Sequence, residues 1–224
     1  MAGLIGRVRK VLEALDAESQ GNEATLTLTQ QIELLVAQGA PPYSEVVRAG
    51  RAFWTGTTTA LAAVVAIPTT ATMLALYNND VDGGRSLIID WVAAQNVVST
   101  AVASQAQILG NIGQVRETAP TDAALSIKKR NGMGSGTNDT KVRTIVSATA
   151  LPSTTGVAAN WFPIGGNGVK PGAAGTPGYG MYQRMDGDII VPPGRYFAMH
   201  VLANVVGETF MAFCGWHEKQ LALG

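Results

Sequence analysis

Charge is scarce in this chain. Lys, Arg, Asp and Glu together make up 14% of its 224 residues, against about a quarter in an average globular protein. Sixteen basic residues balance sixteen acidic ones, so no net field draws the chain to nucleic acid or to an anionic membrane. Cysteine occurs once, at Cys214, which excludes an internal disulfide framework. Histidine occurs twice, at His200 and His217, with no His-x-His pair; a zinc or cupin-type centre needs clustered imidazole and carboxylate ligands. No stretch reaches the roughly 18 uninterrupted apolar residues of a membrane span. The opening residues MAGLIGRVRKVLEALDAESQ lack the apolar run and cleavage site of a secretory signal. Gly-x-Ser-x-Gly and Gly-Lys-Ser/Thr are both missing, which removes a serine-hydrolase elbow and a phosphate-binding loop of the usual kind. The expectation is a soluble, cytoplasmically made protein without a cofactor.

In place of charge the chain has glycine, 26 residues of it, and an alanine- and valine-rich apolar fraction. A surface that neutral is tolerated when other subunits cover much of it. Leu4, Ile5, Val8, Val11, Leu12 and Leu15 recur at the spacing of an amphipathic helix. Such a helix suits either docking on its own core or an arm laid on a partner subunit. The segment ATLTLTQQIELLVAQG passes from strand-like alternation into a helical pattern, with Gly39 as its cap and Pro41 and Pro42 as its stop. The boundary therefore falls near residue 43, with an N-terminal arm over 1–42 and the main domain over 43–224.

From Tyr43 onward short β-type runs alternate with turns, among them VVRAGRAFWTG, ATMLALYNN, RSLIIDWVA, GDIIVPPG, RYFAMHVLAN and ETFMAFCGW. Runs of this length and spacing predict an antiparallel, jelly-roll-like β-sandwich rather than a βαβ protein. The stretch from Val97 to Leu109 suits helix or strand. NNDVDGGR reads as a hairpin connection, as does NVVGE between RYFAMHVLAN and ETFMAFCGW, while NGMGSGTNDT and GGNGVKPGAAGTPGYG read as glycine-rich loops.

Few stretches resemble chemistry. Asn78, Asp80, Asp82 and Gly83 match four positions of a calcium loop, but the twelfth position is Ile89 instead of a bidentate acid; a turn is the better reading. Lys128, Lys129 and Arg130 form a basic run without interleaved aromatics, which reads as a solvated strand end. FMAFCGWHEKQ holds Cys214, His217 and Glu218 within five positions. In a strand, Cys214 and His217 point to opposite faces, and Cys214 and Glu218 stand about 13 Å apart at ~3.3 Å per residue. No Cys–His dyad forms inside a regular strand, and Cys214 among apolar neighbours reads as a buried hydrophobe. No catalytic, cofactor or metal residue is nominated.

Both faces of RYFAMHVLAN, ETFMAFCGW and RSLIIDWV are apolar, whereas a water-facing antiparallel sheet alternates apolar with polar. One face belongs to the sandwich core. The other calls for cover from a second sheet, the N-terminal arm or a neighbouring copy, and with charge so scarce the favoured cover is a neighbouring copy in an obligate homo-oligomer. The large side chains expected at that contact are Trp91, Phe197, Met199, Phe213 and Trp216.

AIPTTATMLALYNNDVDGGRSLIIDWV and GDIIVPPGRYFAMHVLANVVGETFMAFCGWHEKQL resemble successive strands of the jelly-roll domains in structural proteins of tailed bacteriophages. The resemblance implies a non-enzymatic virion protein, commonly a homotrimer, assembled in the host cytoplasm. It carries over no functional residue. The first reading it supports is a capsid decoration or cement protein whose partners are itself and the major capsid protein or other virion proteins, with no nucleic acid and no membrane. The helix over Leu4 to Leu15 would then be the capsid anchor. The second reading is a tail-fibre or spike protein presenting Trp161, Tyr179 and Tyr182 to a host glycan.

Overall fold

The computed structural model describes residues 44–69, 71–120, 125–133, 142–146, 151, 158–172 and 178–221. All of them belong to the second of the chain's two units, Pro42–Gly224. The nominated anchor residues Leu4, Ile5, Val8, Val11, Leu12 and Leu15 lie outside the described residues.

A short helix, α1 (Ser44–Arg48), leads into two antiparallel sheets packed face to face. The strands are β1 (Ala52–Gly56), β2 (Leu61–Ala62), β3 (Leu74–Asn78), β4 (Arg85–Val98), β5 (Ser104–Ile112), β6 (Lys128–Lys129), β7 (Val142–Val146), β8 (Trp161–Lys170), β9 (Gly180–Val191), β10 (Tyr196–Ala203) and β11 (Thr209–Gln220). The first sheet runs β6-β1-β11-β4-β9, with β2 also paired to β11, and the second runs β7-β3-β10-β5-β8. The ambiguous stretch from Val97 to Leu109 resolves into the end of β4, a loop and the start of β5. Glycine did not break β8, which continues through Gly165, Gly166 and Gly168. A Cβ on Gly168 would fall 2.1 Å from the Tyr179 ring, so glycine is what lets that ring lie on the strand.

The core lies between the sheets, where Phe53, Leu87, Ile89, Val92, Phe210 and Trp216 of the first meet Leu76, Ile108, Phe197, Met199 and Val201 of the second. Full burial of each large side chain stabilises the fold by roughly 1.5–3 kcal/mol. Phe53 and Trp216 stack at its centre, ring centroids 6.0 Å apart.

Two connections expected to be hairpins cross between the sheets. NNDVDGGR links β3 in the second sheet to β4 in the first, and the NVVGE turn links β10 to β11 in the same sense. Asp80 organises the first corner: its carboxylate accepts from Val81 N–H at 2.8 Å and Arg85 N–H at 2.9 Å. Of the carboxylates that resembled calcium ligands, Asp80 is thus bonded within the turn and Asp82 is paired with Arg116 beyond β5; the connection is a turn, but not a hairpin.

The crossings also explain strands that are apolar on both sides. β10 is central in its sheet, between β3 and β5, and β11 is central in the other, between β1 and β4. Outside the second sheet, Tyr77, Leu109, Trp161, Tyr196 and Leu151 form a smaller apolar layer of their own. The hydroxyls of Tyr77 and Tyr196 donate to the Glu117 and Thr118 carbonyls. That face is thus already buried within the chain, where a neighbouring copy was the favoured cover. Phe197, Met199 and Trp216 are corrected with it. They sit in the core between the sheets, essentially without exposure, and side chains sealed inside one protomer cannot form a contact between protomers.

Candidate interaction face

The outer face of the first sheet is built differently, and a bulge sets it up. Trp216 pairs with Ile89 and Gly215 with Trp91, leaving Asp90 as an extra residue in β4. The extra residue inverts the alternation. Leu87 and Ile89 point into the core before it, Val92 and Ala94 after it, and Trp91 is turned outward. Across the sheet the register places Trp54 of β1, Gly215 of β11, Trp91 of β4 and Arg184 of β9 in one row. Gly56, Phe213, Ala93 and Tyr182 form the next.

Glycines make the rings lie close to the sheet. A Cβ on Gly215 would fall 2.2 Å from Trp91 Nε1, and a Cβ on Gly56 would fall 2.2 Å from the Phe213 ring. Trp91 stacks on Tyr182 at 5.9 Å between centroids. Trp54 is 37% exposed and Tyr182 61% exposed, with Trp91 and Phe213 half-buried. Of the five residues nominated for a subunit contact, this face holds Trp91 and Phe213. Trp54 was missed because AFWTG carries two adjacent rings, and only the pairing of Phe53 with Trp216 tells which turns inward.

Cys214 lies on the core side of β11, as alternation predicts, and burial pushes its thiol well above the usual range, with the Asp90 charge adding to the effect. His217 lies on the opposite, outer side. Its Nδ1–H donates to Asp90 at 2.7 Å, and Arg130 holds the other carboxylate oxygen at 2.8 Å. The bulge that frees Trp91 therefore also supplies the acid for His217, a pairing hidden in the sequence because it depends on Asp90 being out of register. Arg130 is engaged here, while Lys128 and Lys129 form a two-residue edge strand beside β1. Cys214 is sealed behind the sheet, on the side away from this pair.

His200 is on the outer side of the other sheet, edge-on to Trp161 at 6.4 Å. Val201 N–H donates to its Nδ1 at 2.9 Å. Burial lowers its pKa below 6.5. The folded chain thus keeps a neutral imidazole, while the unfolded chain takes up a proton once the pH falls below about 6.5. Stability contributed by this site is full above that pH and is lost as pH drops, by at most about 1.4 kcal/mol per unit. Thermal midpoints of wild type and His200→Gln at pH 7.5 and 5.0 check this: the acid-side fall should shrink in the variant.

Among the described residues, no group of three or more His, Cys, Asp and Glu is arranged to hold a metal ion. The rings nominated for a glycan platform are dispersed. Trp161 is buried in the layer over the second sheet, Tyr179 donates its hydroxyl to Glu208 at 3.1 Å, and only Tyr182 stands in the open. No family model matches the chain, and no curated protein is similar to it in sequence.

Proposed function

We propose that this chain is a non-enzymatic structural protein of a virion, a capsid decoration or cement protein working as a homotrimer. Its fold in this reading is a jelly roll. Taking β1, β3, β4, β5, β8, β9, β10 and β11 as strands one to eight, the first sheet runs one-eight-three-six and the second two-seven-four-five. That double Greek-key order is shared by viral capsid domains, lectins and cupins. A cupin site is disfavoured because His200 and His217, the chain's only histidines, are on the outer sides of different sheets.

The observation that carries an assembly role is the aromatic outer face of the first sheet. Trp54, Trp91 and Phe213 stand side by side there, partly open, and large aromatic side chains dominate interface energetics. In this reading the face is buried against a neighbouring subunit, and removal of apolar surface from water holds the assembly together. Sedimentation equilibrium of the full chain should give about 70 kDa, three times the 23.3 kDa protomer. Trp91→Ala should weaken association by about 2 kcal/mol, a loss typical of an interface hot spot. Imaging of the particle should find the chain on the capsid lattice. A monomer whose mass Trp91→Ala does not change would sink the assembly role.

One feature favours the second reading, a tail-fibre or spike protein that binds a host glycan. Tyr182 is open and stacked on Trp91, as a sugar-binding platform would require. Density at the tail and glycan binding by the free chain, lost in Tyr182→Ala, would select it.

A further inference from the structure

The outer row on the first sheet has two different ends. Its register runs from Lys128 of β6 through Trp54, Gly215 and Trp91 to Arg184 of β9. Lys128 shares the outer side with Trp54, its cross-strand partner, and is exposed. At the other end β9 leaves the ladder. Between the pairs Ile89–Ile189 and Trp91–Arg184 stand one residue of β4 and four of β9, Met185 to Asp188. Asp186 and Asp188 are both exposed there, and Arg184 pairs with Asp186. Asp188 precedes Ile189, a core residue, so alternation turns it to the outer side. The row is therefore cationic at the β6 edge, while the β9 edge sets two carboxylates against one guanidinium.

The β9 end is shaped by more than the ladder requires. Asp186 has a φ of 48°, and among the described residues it is the one non-glycine with a positive φ. Strain of that kind clusters where a structure makes contacts or does chemistry, and here it lifts carboxylates off an edge strand. Within the first sheet β9 pairs with β4 alone, and the bulge interrupts its open side. A neighbour arriving there meets side chains in place of a continuous free ladder. The two ends stand about 19 Å apart, four inter-strand spacings of ~4.8 Å. That exceeds the roughly 8 Å over which charges act in physiological salt, so the ends do not neutralise each other within one chain.

We infer that the row makes a head-to-tail contact between copies of the chain, in which the Lys128 end of one copy meets the Asp188 end of the next. A ring of three contains no two-fold axis, so each subunit has to offer its neighbours two different surfaces. Opposite edges of one sheet supply such a pair here, opposite in sign and joined by the aromatic side chains of the same face. A phosphate chain or an anionic membrane would gain Lys128 and be repelled at the β9 edge. Another copy of the chain satisfies both ends at once. The inference rests on the reading of the chain as an assembling subunit, and it adds the direction of the contact and the ion pair that sets it.

The test is charge reversal in the full chain, at two exposed positions, read by sedimentation equilibrium. Lys128→Glu and Asp188→Lys should each weaken association about tenfold or more, because like charges then face each other across the contact. The double variant Lys128→Glu/Asp188→Lys restores opposite signs and should recover the wild-type trimer, a rescue that a misfolded variant could not show. An equimolar mixture of the two single variants should not recover it, since a ring of three always places two identical chains side by side. Single variants that associate like wild type, or a double variant no better than either single one, would overturn the inference. Recovery in the mixture would also overturn it, because two chains satisfy each other only in a two-fold contact. Trp91→Ala separates this contact from the reading beneath it. If that change weakens a wild-type trimer and the reversals do not, the assembly role stands and the head-to-tail pairing is wrong; a monomeric wild type removes both.

Discussion

Lys170→Met is expected to cost about 3–5 kcal/mol of folding stability, the loss that follows when a buried ion pair keeps one partner. The lysine nitrogen stands 4.0 Å from a Glu208 oxygen, and neither side chain reaches water. Methionine fills much of the same volume but leaves a carboxylate inside the protein with two neutral donors, Ser104 and Tyr179. It also strips a donor from the carbonyls of Thr100 and Val102. Tyr179 adds little to offset this, because burial, chiefly, has pushed its hydroxyl up to about 12 and it donates as a neutral phenol. Urea denaturation at neutral pH measures the effect as a lower midpoint with an unchanged slope. The double variant Lys170→Met/Glu208→Gln removes the stranded charge and retains an acceptor for the hydroxyls. It should therefore be more stable than the sum of its single changes, by a coupling of about 1–3 kcal/mol. Additive losses would mean that the two side chains do not act as a pair.

That network illustrates what was legible in the sequence and what was not. Strand alternation was enough to put Phe210, Ala212, Cys214 and Trp216 on one face of β11 and to break the apparent Cys–His–Glu centre. The two-sheet sandwich followed from short β-type runs, because each run needed an apolar face to bury. Lys170 and Glu208 were invisible as a pair because they are 38 positions apart and meet only where loops from both sheets converge. The Asp90 bulge was equally hidden. A single extra residue inverts the faces of everything beyond it, so Trp91 moved outward and Asp90 came to His217. The hairpin expectations failed for a related reason. Turn residues mark where a chain reverses, but whether the next strand joins the same sheet depends on which strands compete for the edge. β10 and β11 each already have two neighbours in their own sheets.

Trp216→Ala is expected to destabilise the folded protomer rather than split an assembly. Its side chain is fully buried, stacked on Phe53 and packed in the core between the sheets. Truncating such a residue costs about 3–5 kcal/mol, since transfer energy is lost and a cavity remains. Domains of this kind have about 5–15 kcal/mol in total, so the urea midpoint should fall sharply. Trp216→Phe should be much milder. Most of the ring volume is kept, and the indole Nε1 that disappears is buried without a hydrogen-bond partner, so no bond is lost with it. Trp91→Ala, on the outer face, should do the opposite of Trp216→Ala: association weakens while the urea midpoint of the dissociated chain changes little. Equilibrium unfolding and sedimentation on the same three variants separate the two effects. Should Trp216→Ala dissociate the assembly and leave the unfolding midpoint where it was, its place would be at the subunit contact and the face argument would have to be reversed. The two tryptophans meet across one bulged pairing, Trp216 opposite Ile89 and Trp91 opposite Gly215, and that bulge decides which of them faces the core and which faces outward.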